Sequence, residues 1–154
     1  AHPPVTFRHE KLKIEQRIPA AQRYILEHGL NEMLGDTAAP LGIVVQGGVT
    51  HALLRALQLA GLADAQGTPA LAVLALQVTY PLVPQQLADF AAGKRALLVV
   101  EEGAPEYIEK DLLQALRRLD LTTPVHGKDL LPAVGEATRK AYMLSHDNKS
   151  IDAD

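Results

Sequence analysis

The stretch that decides the fold is Ala96-Leu97-Leu98-Val99-Val100-Glu101-Glu102-Gly103, with residues 104–119 behind it. A run of apolar residues without alternation reads as a strand buried on both faces. Two carboxylates and a glycine close it. Then the period changes. Ile108, Leu112, Ala115, Leu116 and Leu119 fall on one stripe of a helix. Pro105 suits the first helical position, where its missing N–H costs nothing. Glu106 and Glu109 fall in the positive first turn, and Arg117 and Arg118 in the negative last turn. The stretch is one strand–turn–helix unit.

Working outward, the same unit recurs. Leu41–Val45 is a second apolar run, broken by Gly47 and Gly48 and followed by a helix over Ala52–Leu62, with Leu53, Leu57 and Ala60 on one face. Leu71–Val78 is a third run. Tyr80-Pro81-Leu82-Val83-Pro84 must be an extended loop, because each proline pushes its predecessor out of the α region. A helix over Gln85–Ala92 turns Leu87, Phe90 and Ala91 inward and stops at Gly93. Pro124–His126 reads as a fourth, edge-like strand, and Ala133–Leu144 as a last helix. Alternating strands and helices mean right-handed crossovers and a largely parallel sheet between helix layers. Before this unit the pattern from Phe7 to His28 is helical. Pro3 and Pro4 argue against an earlier start, Pro19 either kinks the helix or begins a second one, and Gly29 is a stop. The expected organisation is a helical arm at 1–36, an α/β domain at 37–144 and a polar tail at 145–154.

Composition narrows the function classes. The chain has 154 residues, 47% of them apolar, with Leu and Ala at 25 and 23; this suits helices on a buried sheet better than a β-sandwich. It has no Cys, which excludes disulfides, a thiol nucleophile and cysteine-held zinc or iron–sulfur clusters. Fifteen basic against 18 acidic residues give a net charge of −3, so nucleic acid is not the expected partner. The first 23 residues carry five basic and two acidic side chains, which leaves the remainder markedly acidic. No apolar run reaches the roughly 18 residues of a membrane span and no signal-peptide pattern opens the chain, so a cytoplasmic location is expected.

In an open parallel sheet, ligands bind beyond the carboxyl ends of the strands. The groups there are Gly47 and Gly48, Thr79 and Tyr80, Glu101 and Glu102, and His126 with Lys128. Gly47-Gly48 leads into a helix whose amides could hold an anion. It lacks both common phosphate-loop fingerprints, and a tight turn with Thr50 or Gln46 satisfying the helix-end amides is the expected reading. Glu101 and Glu102 point to opposite sides of the strand, so they cannot face each other as an acid–base pair. One is expected to bind backbone amides of an adjacent loop and the other to face solvent or a partner. His126 and Lys128 are the polar groups best placed to touch a ligand, with loop-fixing as the plainer role. The six histidines show no metal-ligand spacing, and no nucleophile motif is present. An acidic receiver-type switch fails because the first parallel strand ends in Gln46 and Gly47. From spacing alone, no catalytic residue and no metal ligand is assigned.

Four segments carry a resemblance: LGIVVQGGVTHALLRAL from Leu41, VTYPLVP from Val78, LLVVEEGAPEYIEKDL from Leu97 and VHGKDLLPAVGE from Val125. In this order they resemble the transketolase C-terminal-like domain of the 2-oxoacid:ferredoxin oxidoreductases, of the indolepyruvate α-subunit type, over about residues 7–140. The resemblance implies a sheet of about five strands, mostly parallel, with one antiparallel edge strand. It implies a parent enzyme that oxidatively decarboxylates an aryl pyruvate to an acyl-coenzyme A and reduces ferredoxin, using thiamine diphosphate, magnesium and iron–sulfur clusters held by other domains. This chain lacks the thiamine motif and any cysteine. It is therefore expected to be a non-catalytic interface domain that packs on other domains or subunits and contributes to a homodimer. The alternative is a coenzyme-A- or nucleotide-binding module with Gly47, Gly48, His126 and Lys128 as its anion site.

Overall fold

The computed structural model describes residues 3–103 and 105–130. The helix expected at Ala133–Leu144 and the tail at 145–154 lie outside the described residues. A helical arm opens the chain: α1 (Pro3–Leu12), a π-helical turn at Lys13–Arg17, and α2 (Ile18–Glu27). Pro3 and Pro4 do not delay α1 as expected. They sit in its first turn, where no amide is needed from them. Pro19 begins α2 after the π turn, and α2 ends before Gly29, whose φ is +57°.

Five strands form one sheet: β1 (Glu32–Leu34), β2 (Leu41–Gln46), β3 (Ala72–Leu76), β4 (Ala96–Val100) and β5 (Val125–His126), in the order β1-β3-β2-β4-β5. β1 runs antiparallel to β3 and every other pairing is parallel. The sheet is thus the five-stranded, mostly parallel one that the resemblance implied, and β1 is the strand that apolar runs do not reveal. It comes from within residues 1–36 and pairs Leu34 with Val73. Between the strands lie α3 (Thr50–Leu59, entered through a 3-10 turn at Gly47–Val49), α4 (Pro84–Ala91) and α5 (Tyr107–Arg118). A last 3-10 turn covers Lys128–Leu130.

Alternation along the strands divides the core between two faces. Val44, Leu74, Leu76, Leu97 and Val99 meet Leu87 and Phe90 of α4 and Ile108, Leu112 and Leu116 of α5. Ile43, Val45, Val73 and Ala75 meet Leu57 of α3. Close packing leaves no room for a side chain at Gly42, where an added Cβ would lie 2.7 Å from Leu97 Cδ2. Two expectations need correcting. α5 starts at Tyr107 with Glu106 as its N-cap residue, so Pro105 and Glu106 precede the helix. Leu98 and Val100 are not buried like Leu97 and Val99 but only half-buried, because no described helix covers β4 on their face.

Candidate functional site

The carboxyl ends of β2, β3 and β4 open into a cleft of about 410 Å³ lined by Gln46, Thr79, Tyr80, Leu82, Glu101, Glu102, Tyr107, Ile108 and Asp111. Its walls come from the strand ends, the Tyr80–Pro84 loop and the first turns of α5. The loop is fixed from two sides. Gln22 of α2 donates to the Leu82 carbonyl at 2.7 Å. The buried Asn31 accepts from the Val78 amide at 3.1 Å and donates to Gln86 Oε1 at 2.7 Å. Tyr80 is therefore held out on a fixed loop while 66% exposed, and Tyr107, at the start of α5, lines the same cleft at 69% exposure. Tyr80, Leu82 and Asp111 also border a second, more apolar cleft of about 490 Å³ that reaches α2 and the far end of α5.

The glutamate pair divides as strand geometry requires. Both carboxylate oxygens of Glu101 accept backbone amides, from Ile108 at 2.9 Å and Glu109 at 3.2 Å. These are amides of the following helix rather than of a neighbouring loop, so Glu101 does the work of a helix cap from outside the helix. The Glu102 side chain is exposed, and its amide donates to Gln46 Oε1 at 2.9 Å. Gln46 is thereby used to tie β2 to β4. It does not satisfy the amides that open α3, and neither does Thr50, whose buried hydroxyl oxygen has no hydrogen-bond partner. The expectation that one of them caps that helix is corrected on this point.

The remaining candidates lie apart from the cleft. Gly47 is required by packing, since a Cβ there would lie 2.6 Å from Gln77 Oε1 and 2.9 Å from the Leu76 carbonyl oxygen. Gly48 has open space around it. His126 is exposed on β5. Lys128 Nζ donates to the Gly103 carbonyl, which joins the β5 loop to the β4 loop. Beside the cleft, Glu106 is held below the ordinary carboxylate range, first by its own backbone amide and then by Lys110, 3.3 Å away. Thr79 and Tyr80, read from sequence as strand-end groups, line the cleft, whereas Tyr107 and Asp111 are cleft residues that sequence reasoning did not single out. Tyr107 and Asp111 are four apart, which places them on one face of α5.

The donor set limits the chemistry. Glu101 is committed to α5, and among the described residues no three His, Cys, Asp or Glu side chains come together to hold a metal ion. Among the described residues, no helix is long and apolar enough to cross a membrane.

Fold and cleft together define an open α/β domain whose strand-end polar groups are largely tied into its own loops. No family model matches the chain. Over 126 residues it is 32% identical to the indolepyruvate oxidoreductase subunit IorA of Methanothermobacter marburgensis, and 31% identical to that of Methanothermobacter thermautotrophicus. Each match takes in 81% of this chain. The chain is thus related to the indolepyruvate oxidoreductases, the family read from its four segments. It spans about a fifth of the relatives' length, the matched share being 19% of each.

Proposed function

We propose that this chain is a non-catalytic interface domain of an indolepyruvate oxidoreductase subunit. The whole enzyme, on this reading, oxidatively decarboxylates an aryl pyruvate, passes the acyl group to coenzyme A and reduces ferredoxin. Its partners are the other domains and subunits of that enzyme, with a second copy among them. Thiamine diphosphate with magnesium would supply the carbanion sink for decarboxylation, and iron–sulfur clusters the electron path, both from parts other than this chain.

The observation that carries the reading is the use of Glu101. The best-placed carboxylate at the strand ends spends both oxygens on the first turn of α5. Such a group positions a helix and is not free to move a proton. What remains around the cleft suits contact with another protein surface: two exposed tyrosines on fixed elements, with Glu102 and Asp111 lining the same cleft. Calorimetry of the chain with thiamine diphosphate and Mg²⁺ is expected to show no saturable binding. Micromolar binding would overturn the reading.

A coenzyme-A or nucleotide module is the second reading. The uncapped start of α3 beside the unpartnered Thr50 hydroxyl favours it. The packing need at Gly47 counts against it, because that glycine is explained without a ligand. Titration with coenzyme A separates the two, since saturable binding would move Gly47 and Gly48 from turn-formers to ligand contacts.

A further inference from the structure

α1, the π turn and α2 run on as one helix, because Leu12 and Ile18 at the two junctions keep right-handed helical backbone. The inner part of this arm is anchored: Ile25 is buried, and Gln22 donates to the Leu82 carbonyl. The outer part, residues 3–17, has no buried residue. Phe7 and Ile14 stand 70% and 63% exposed there. They lie two turns apart and line one shallow hollow with Glu10, Lys11 and Glu15. A lone helix of this length is marginal in water, and a packed apolar face supplies most helical stability. Residues 3–17 carry such a face, and among the described residues nothing buries it.

We propose that this outer arm docks in the apolar cleft at the arm root of a second copy of the chain, so that two copies exchange arms. The inference deepens the interface reading and rests on it for a second copy being among the partners. Place selects this occupant first. The cleft of about 490 Å³ is bordered by Ile18 and Gln22 of the same helix. A continuous helix carries residues 3–17 away from their own cleft and cannot fold back into it. A two-fold axis beside the arm roots sets each outer arm over the other copy's cleft, and a contact of that kind closes on itself.

Charge selects it next. The first 23 residues carry five basic and two acidic side chains, or +3, so the net −3 of the chain leaves −6 for the rest. An arm of this sign favours the body of a copy over the arm of a copy. In the cleft, Asp111 and Arg118 lie seven residues apart on α5, and neither is in an ion pair among the described residues. On the arm, Arg8 and Glu15 are also seven apart, with the signs reversed. An arm parallel to α5 sets Arg8 against Asp111 and Glu15 against Arg118, while Phe7 and Ile14 meet Leu82 and Leu119. Glu15 gives up only its exposed contact with Lys11, at 3.9 Å. Area agrees. Half the lateral surface of a helix about 22 Å long and about 10 Å across is about 350 Å². Counted on arm and cleft at both contacts, the pair covers about 1,400 Å², which is within the range of specific complexes.

Sedimentation equilibrium of the full chain tests the proposal. A reversible dimer is expected at micromolar concentration. Phe7→Ala combined with Ile14→Ala is expected to give a monomer, with slow hydrogen exchange in β2 and β3 showing that the body stays folded. Asp111→Arg is expected to weaken the dimer about tenfold or more, and adding Arg8→Asp to recover it. An unaltered chain that is still monomeric at about 100 μM overturns the proposal; if it also binds no thiamine diphosphate, the interface reading survives. A dimer indifferent to the Phe7 and Ile14 changes lies on another surface and overturns it. A dimer lost with those changes but indifferent to Asp111→Arg shows the arms paired with each other, and overturns it as well.

Discussion

Glu101 Oε2 lies 2.9 Å from the amide nitrogen of Ile108, across the whole turn that joins β4 to α5. One carboxylate thus fixes where a strand ends and where the next helix starts, and it lies against the positive end of that helix. Glu101→Gln removes the charge and leaves a single acceptor oxygen for two amides. Urea denaturation should show a loss of about 1–2 kcal/mol. Glu102→Gln, at an exposed side chain, should change stability by less than about 0.5 kcal/mol. Equal effects at both positions would remove the capping role.

Gly47 and Gly48 are neighbours with opposite demands. A methyl group at 47 meets a backbone carbonyl oxygen at 2.9 Å, which cannot swing aside as the Gln77 side chain can. Gly47→Ala should therefore cost about 1–3 kcal/mol, as for overpacking. Gly48→Ala meets nothing within 4 Å and should be neutral or slightly stabilising, since it lowers the entropy of the unfolded chain. Thermal melts of the two variants check this. If both tolerate alanine equally, the close approach at Gly47 is not a constraint.

Much of the fold was legible because period and punctuation agreed. Ala96–Val100 is the strand its apolar run indicates, and the buried residues of α5 fall on the stripe read from sequence. β1 was not legible. It is three residues long, pairs along one edge only and contributes one half-buried side chain, Leu34. Pro3 and Pro4 misled because the rule that excludes proline from helices spares the first turn. The site was read less well than the fold. The division of labour between Glu101 and Glu102 follows from strand alternation, which is local. Gln46 reaching Glu102 across 56 residues, and Tyr80 and Tyr107 facing one cleft, depend on strand order and helix placement, which no local pattern encodes.

Glu106 should reveal its surroundings on titration. Its carboxyl is held below the ordinary value by its own backbone amide and by Lys110. A lowered folded-state pKa favours the folded state above the ordinary value, and that contribution is lost as pH falls through the lowered one. Lys110→Met should move the Glu106 midpoint up, towards but not fully to the ordinary value, because the backbone contribution remains. Carboxyl chemical shifts followed from neutral to acid pH measure this. An unmoved midpoint would show that Lys110 does not act on Glu106.

Asn31 joins the arm to the loop that carries Tyr80. It is 7% exposed and uses both ends of its amide, towards Val78 and Gln86. Asn31→Ala leaves the Val78 amide unpaired in a part-buried place, which should cost about 1–3 kcal/mol. Hydrogen exchange should show a local effect as well, with amides near Val78 less protected than those of β2. A uniform loss across the domain would mean that Asn31 supports the core and not the loop.

Thr50 gives the test that bears most directly on ligand binding. Its hydroxyl oxygen is buried and has no hydrogen-bond partner, at the start of a helix with no side-chain cap. Burying an unpaired hydroxyl costs about 1–3 kcal/mol on mutational scales. Thr50→Val keeps the branched shape and removes the oxygen, so it should stabilise the chain by about 1–2 kcal/mol at 25 °C. The β-branched valine costs little in a first helical turn, so propensity does not mask the gain. Chemical denaturation decides the sign. A destabilised variant would mean that the hydroxyl has a partner in solution, an ordered water or a bound group at the Gly47–Thr50 turn. That outcome would strengthen the coenzyme-A or nucleotide reading at the expense of the interface reading.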